Sequence, residues 1–229
     1  MTITKVQTDQ PGDILVLGSS GNNGDPGLPG GVGQPGSNGR DCDCNWASGC
    51  RDSTAGGNGD AGGNGSNGED GTDGQSALPA TFKIDELIGD VVVFSAGGNG
   101  GAGGAGGAGG AGGAGGNGGK PDQDGAYKCS GSNGGNGGSG GNGGNGGFGG
   151  NGGDGTIVKV TYSSTTGGAI SPQTAQAIPG KGGTAGSAGQ GGAAGSPSGS
   201  SGSSGSPGQN GNDGSRFGST STFDITKVS

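Results

Sequence analysis

Residues 97–119 read GGNGGAGGAGGAGGAGGAGGNGG, with glycine at two of every three positions in one unbroken phase. Few backbones can use such a pattern. A left-handed helix with three residues per turn and ~3.1 Å rise puts every third residue on the same face. In that geometry the stretch has two bare glycine ridges and a third ridge of Asn99, Ala102, Ala105, Ala108, Ala111, Ala114 and Asn117. Such a helix makes no internal hydrogen bonds, so its amides and carbonyls need partners elsewhere. Bare ridges let a neighbouring backbone come close enough to be that partner, and two ridges imply neighbours on two sides. The stretch therefore reads as the middle of a bundle. A flexible glycine linker and collagen are the ordinary alternatives for glycine-rich sequence. Only GDPGLPGGVGQPG carries proline at collagen-like positions.

Five further runs share the period of three. The first has Gly18 to Gly39 in phase, with Pro26, Pro29 and Pro35 on a ridge that should face outward, because proline donates no hydrogen bond. The second, 56–74, carries Asp70 and Asp73 on its third ridge, and the fourth, 131–155, is nearly Gly-Gly-X with Asn133, Asn136, Asn142, Asn145, Asn151 and Phe148. The fifth and sixth, 180–195 and 199–214, are separated by a one-residue phase shift at Ser196-Pro197-Ser198. Between the runs, β-type segments are read at 2–6, 13–17, 81–87, 91–95, 156–162 and 222–228, with a turn at Ile88-Gly89-Asp90. If successive runs alternate in direction, the breaks at 40–55, 120–130 and 196–198 fall at one end, with every cysteine. All the β segments fall at the other. The expected fold class is a bundle of six antiparallel polyglycine-II helices in two layers, runs three and four central, with a small β-sheet region at one end and essentially no α-helix. The expected division is 18–74, 97–155 and 180–214 for the bundle, and 1–17, 75–96, 156–179 and 215–229 for the β end. Segments 40–55 and 120–130 form the cysteine-bearing tip.

Composition narrows the function. The 229 residues include 71 Gly, 24% hydrophobic residues, 3% aromatic residues and no His. That is too little apolar matter for a conventional core, so hydrogen bonds between the helical runs, a small β core and cross-links must hold the chain. Net charge is −8 with only 10 basic residues, which argues against nucleic acid and anionic membranes as partners. No apolar run approaches the ~20 residues of a membrane-spanning helix. The start, MTITKVQTDQPGD, has no signal-peptide hydrophobic region, which suggests cytoplasmic assembly or leaderless export. No His, nucleophile elbow or catalytic carboxylate pair is present, so no enzyme activity and no cofactor are expected.

Cys42, Cys44 and Cys50 share one tip loop and Cys129 occupies the other. The spacing C-x-C-x5-C is unusual for zinc, so two disulfides are favoured over a four-thiolate metal site. Cys129 is expected to pair with Cys42, Cys44 or Cys50, and the remaining two with each other. Asp41, Asp43, Asp122 and Asp124 crowd the same end and are weak calcium candidates, more simply read as solvated turn residues. Trp46 and Tyr127, rare aromatics in tip loops, are the contact candidates. At the other end Ile3, Val6, Ile225 and Val228 lie on two segments that both read Ile-Thr-Lys-Val and are candidates for subunit contact by strand addition.

The repeats GGNGGAGGAGGAGG and GGNGGSGGNGGNGGFGGNGGDG resemble those of the polyglycine-II sandwich proteins, both the snow-flea antifreeze family and the Gly-rich domain of T-even-type phage long-tail-fibre adhesins. The resemblance covers the six runs and implies a layered glycine bundle. It implies either an ice-binding flat face or an adhesive end whose loops touch a host surface. The strand-rich end has no counterpart in the antifreeze family, and the phage attachment domain has none here. The expected function is a non-enzymatic structural or adhesive protein, a subunit or tip of an extracellular filament or virion tail fibre. It would form a homo-oligomer or filament, contact a cell-surface receptor, and sit outside the cell or on a virion. The alternative is ice binding. It requires the alanine ridge of run three to be exposed, whereas two glycine ridges argue for a central position.

Overall fold

The structure, a computed structural model, describes residues 12–123 and 127–228. The six glycine runs lie side by side and bond to one another at every third residue. Gly21, Gly24 and Gly27 of run one donate to the carbonyls of Asn99, Ala102 and Ala105 of run three, and Gly103 and Gly106 donate onward to Lys181 and Thr184 of run five. Residue numbers rise together across these bonds, so runs one, three and five are parallel and form one layer. Runs two, four and six form the second in the same way, through bonds such as Gly59 to Asn136 and Gly140 to Ser203. Between layers the numbers run in opposite senses, as in Gly98 to Gln75 and Gly101 to Thr72. Runs three and four, each with two glycine ridges, take the middle of their layers. A Cβ added at Gly110 would press on the Gly31 backbone, and one at Gly109 on that of Gly141.

The expected class of six antiparallel helices with a small β region is corrected. No helix occurs among the described residues, and the regular secondary structure is β: eight strands in three sheets. The physical reason is where the bonds go. An α- or 3₁₀-helix is held by bonds inside one segment, whereas every glycine-run amide that is bonded to backbone reaches another segment, so the only regular hydrogen-bonded elements left are the strands. The runs are also parallel within each layer and opposed only across layers.

The β end continues both layers. Strands β1 (Ile14–Leu17), β5 (Val91–Ala96) and β7 (Ile170–Thr174) lead into runs one, three and five and form a parallel sheet in that order. Strands β4 (Ala80–Ile88), β6 (Ile157–Thr166) and β8 (Thr222–Lys227) follow runs two, four and six and form the facing parallel sheet. Gly89, at φ 75°, turns the chain from β4 into β5, which belong to different sheets, so the turn is an arch between layers. Between the sheets, Ile84, Leu87, Val91, Val93, Val158 and Val160 form a buried core, with Ile14, Val16, Phe82 and Ile225 packed against it. Its floor toward the glycine layers is a buried hydroxyl pair, Ser95 Oγ to Ser221 Oγ at 2.7 Å.

The β segments read at 13–17, 81–87, 91–95, 156–162 and 222–228 correspond to β1, β4, β5, β6 and β8. The segment 2–6, with Ile3 and Val6, lies outside the described residues. Strand β7 lies within the 156–179 segment expected at the β end, at a place where no β segment is read from the sequence. The remaining strands, β2 (Asp43–Asn45) and β3 (Gly49–Arg51), lie inside the cysteine loop.

Candidate functional site

The two long tip loops meet at the end opposite the sheets. The Cys42 amide donates to the Lys120 carbonyl at 2.9 Å, and Ser53 Oγ donates to the Ser130 carbonyl at 2.8 Å. Covalent bonds join Cys42 to Cys129 and Cys44 to Cys50. Of the three partners the sequence leaves open for Cys129, Cys42 is the one. Strands β2 and β3 form an antiparallel hairpin in which Cys44 faces Cys50, so the second disulfide closes the hairpin from within. Asn45 Oδ1 accepts from the Ala47 amide, the Ser48 amide and Ser48 Oγ, and Gly49 at φ 79° completes the turn. Trp46 sits at the apex with 89% of its surface exposed. Tyr127, in the other loop, is 52% exposed.

The carboxylates of this end act as amide caps. Asp41 Oδ1 accepts from the Lys120 amide at 2.8 Å, and Asp122 Oδ2 from the Cys44 amide at 3.0 Å. Asp43 is exposed on β2, and Asp124 lies outside the described residues. The sulfurs of Cys42, Cys44 and Cys129 lie within 4.8 Å of one another, but as disulfide sulfurs they are not thiolate ligands. The two disulfides point to an oxidising environment. At the other end, Ile225 packs on the protein's own core and β8 pairs with β6. Val228, whose amide donates to the Tyr162 carbonyl, is 40% exposed.

The layers present two flat faces of different chemistry. On the outer face of runs two, four and six, Asn58, Asn64 and Asn67 each accept an outward amide of run four, those of Asn136, Asn142 and Asn145, at 2.8 Å. The same three run-four asparagines accept the amides of Ser200, Ser206 and Gln209. In a Gly-Gly-Asn triplet the glycines satisfy two directions, and the asparagine caps the third amide of the next run. The recurring Asn at every third position is the signal that could have revealed this. Where run six leaves its glycine phase, Asp154 receives the Ser219 amide and the Arg216 guanidinium, which hold its carboxyl below the usual range.

On the face of runs one, three and five, caps occur toward the ends, where Asn23 takes the Ala102 amide and Asn38 the Asn117 amide. Between them run one offers Pro26, Pro29, Val32 and Pro35, which cannot accept, so the amides of Ala105, Ala108, Ala111 and Ala114 have no protein acceptor among the described residues. The alanine ridge is at or near the solvent along its length, correcting the expectation that a central run hides it. Run three meets its neighbours through its glycine ridges, and the third ridge remains for water.

No protein-family model and no curated protein matches this chain. A solved structure, the nine-helix polyproline type II bundle springtail antifreeze protein from Granisotoma rainieri, is similar at 27% identity over 89% of this chain and 97% of that one, with a TM-score of 0.11.

Proposed function

We propose that this protein is a non-enzymatic structural and adhesive component of an extracellular filament or virion fibre, touching its target through the cross-linked tip. One observation carries the reading: Trp46 is 89% exposed at the apex of a hairpin closed by Cys44–Cys50 and tied to the second loop by Cys42–Cys129. An exposed indole is costly to leave in water, and the cross-linked backbone that carries it has little entropy left to lose on contact, which favours an aromatic anchor. The glycine layers then act as a stiff spacer between tip and β end. Subunits join at the β end, where β1, β4, β7 and β8 are edge strands among the described residues. The test is attachment of protein-coated microspheres to a panel of bacterial and eukaryotic cells. Attachment to at least one cell type that is lost in Trp46→Ser supports the reading. No attachment, or equal attachment by the variant, refutes it.

A second reading, ice binding, is favoured by the exposed alanine ridge. The ridge lies between a row of Pro26, Pro29, Val32 and Pro35 and a row of Thr184, Ser187, Gln190 and Ala193, a face of small side chains. Thermal hysteresis that disappears in Ala108→Tyr would establish it.

A further inference from the structure

On the polar face, run four carries Asn133, Asn136, Ser139, Asn142, Asn145, Phe148, Asn151 and Asp154 in successive triplets. Phe148 is the one large apolar side chain in that row, and it stands 54% exposed. It is structurally worse there than asparagine. Asn145 on one side and Asn151 on the other take amides of run six, from Gln209 and from Ser215 and Arg216. Phe148 takes none, and the Asn212 amide opposite it has no acceptor among the described residues. Ser139 leaves a comparable gap with a small polar side chain, whereas Phe148 fills its gap with a ring.

The ring stands at the centre of a fixed polar grid. Its own amide donates to Asp70 Oδ1 at 2.7 Å, the Asn145 amide donates to Asn67 Oδ1 at 2.8 Å, and Asp73 Oδ1 accepts the Asn151 amide at 2.6 Å. Each of these side chains is therefore pinned at one atom. The Nδ2 groups of Asn67, Asn145 and Asn151, and Oδ2 of Asp70 and Asp73, have no protein partner among the described residues. Donors and acceptors thus alternate around one aromatic ring, and a shallow groove lined by Asn67, Glu69, Asp70, Asn145 and Phe148 runs beside it. Successive triplets along a run are at most ~10 Å apart and bonded runs are ~5 Å apart, the scale of one to two pyranose rings.

We propose that Phe148 and its grid bind a neutral oligosaccharide. The C–H face of a pyranose packs on the exposed ring, while its hydroxyls accept from the asparagine Nδ2 groups and donate to the free aspartate oxygens. Because the polar groups are already oriented, little side-chain entropy is lost on contact. Charge selects the class: Glu69, Asp70 and Asp73 flank the ring and the chain carries −8, so acidic saccharides and nucleic acids are repelled. A peptide anchor would need apolar walls, and the grid around Phe148 has none. This site is independent of the tip reading.

The test is saturation-transfer NMR and calorimetry with neutral hexasaccharides of glucose, mannose, galactose and N-acetylglucosamine, on the whole protein. At least one should bind the wild type. Phe148→Asn should weaken that binding at least about tenfold. It should melt no lower than wild type, because it restores the missing cap. Phe148→Ser, which repeats the chemistry of position 139, should weaken binding likewise and serves if the asparagine variant does not fold. Leu28→Ser, at an exposed position of run one in the other layer, should bind like wild type. Absence of binding by the wild type to every hexasaccharide overturns the proposal. So does binding by the folded Phe148 variant within about twofold of wild type.

Discussion

Gly110 and Gly31 face each other across runs three and one, and they should respond oppositely to the same added methyl group. A Cβ on Gly110 would lie inside van der Waals contact with the Gly31 carbonyl and 2.8 Å from the Gly30 oxygen, all backbone atoms that no rotamer can move aside. To admit it, runs one and three must separate. The Gly110 amide donates to the Gly63 carbonyl and its own carbonyl accepts from Gly141, both at 2.8 Å, so the displacement strains two interlayer bonds as well. Two weakened bonds at ~1 kcal/mol each and overpacking of ~1–3 kcal/mol give a destabilisation of about 3–5 kcal/mol for Gly110→Ala. The smaller unfolded-state entropy of alanine returns ~0.4–1 kcal/mol, leaving a net cost near 3 kcal/mol. In a chain of this length that is a fall in Tm of roughly 6–12 °C. A Cβ on Gly31 meets nothing within 4 Å and its φ is not in the left-handed region, so Gly31→Ala should raise stability by about 0.4–1 kcal/mol. Calorimetry or circular dichroism melting of the two variants is the assay. Equal melting, or a Gly110→Ala shift below about 2 °C, would show that the runs are not held at this spacing.

Cys129→Ser should lower stability by ~4–5 kcal/mol in the chain-entropy account, because the bond to Cys42 spans 87 residues, whereas Cys50→Ser, opening a span of 6, should cost only ~2 kcal/mol; denaturant titration of each variant measures both. Acid should weaken the fold at two exposed pairs: Asp154 is lowered first by the Ser219 amide and then by Arg216, and Asp213 first by Lys181 and then by the Gly182 amide. A carboxyl lowered in the folded state stabilises fully above its unfolded value of ~3.9 and loses that contribution as pH falls through the folded value. Tm measured from pH 7 downward should therefore hold to about pH 4 and then drop, with a smaller drop in Asp154→Asn.

What the sequence makes legible is what depends on period alone. The alternation of Val158 and Val160 with Lys159 predicts a half-buried strand, and both valines are fully buried in β6. The glycine ridges point to the sides that meet neighbours. What is not legible depends on partners far along the chain. Parallel order cannot be read from a segment, because the bond from Gly24 to Ala102 spans 78 residues with no local trace. Strand β7 carries Pro172, a residue that argues against a strand, and it is tolerated because β7 is at the edge of its sheet. The tip hairpin has strands of three residues, shorter than any pattern test resolves, and it is held by Asn45 and a disulfide instead of by alternation. The exposure of the alanine ridge is hard to read from the sequence for a geometric reason. Counting neighbours from ridges says how many faces are covered, and a run with two bare ridges keeps one uncovered.

The same geometry explains why the layers stop at three runs each. Bonds within a layer all point one way, from run one to three to five and from two to four to six, so each layer has an acceptor edge and a donor edge. Two such edges are complementary, and with nothing to block them copies of the protein would add side by side without limit. The donor edge is partly closed from within. The Gly182 and Ala185 amides, which point past run five, donate to Asp213 Oδ1 and Asn210 Oδ1 of run six, and Pro207 has no amide to offer. At the acceptor edge, run one carries side chains on both ridges other than its glycine ridge, among them Asn22, Asp25, Leu28, Pro26 and Pro29. Close approach between runs requires bare ridges, and Gly31 is a single gap in that edge, too short to seat another run. Lateral growth is therefore hindered where these caps and side chains stand, whereas the two ends carry no such row. Under the fibre reading, subunits must then join along the run direction, β end to tip or β end to β end. A filament of this protein would be one bundle wide.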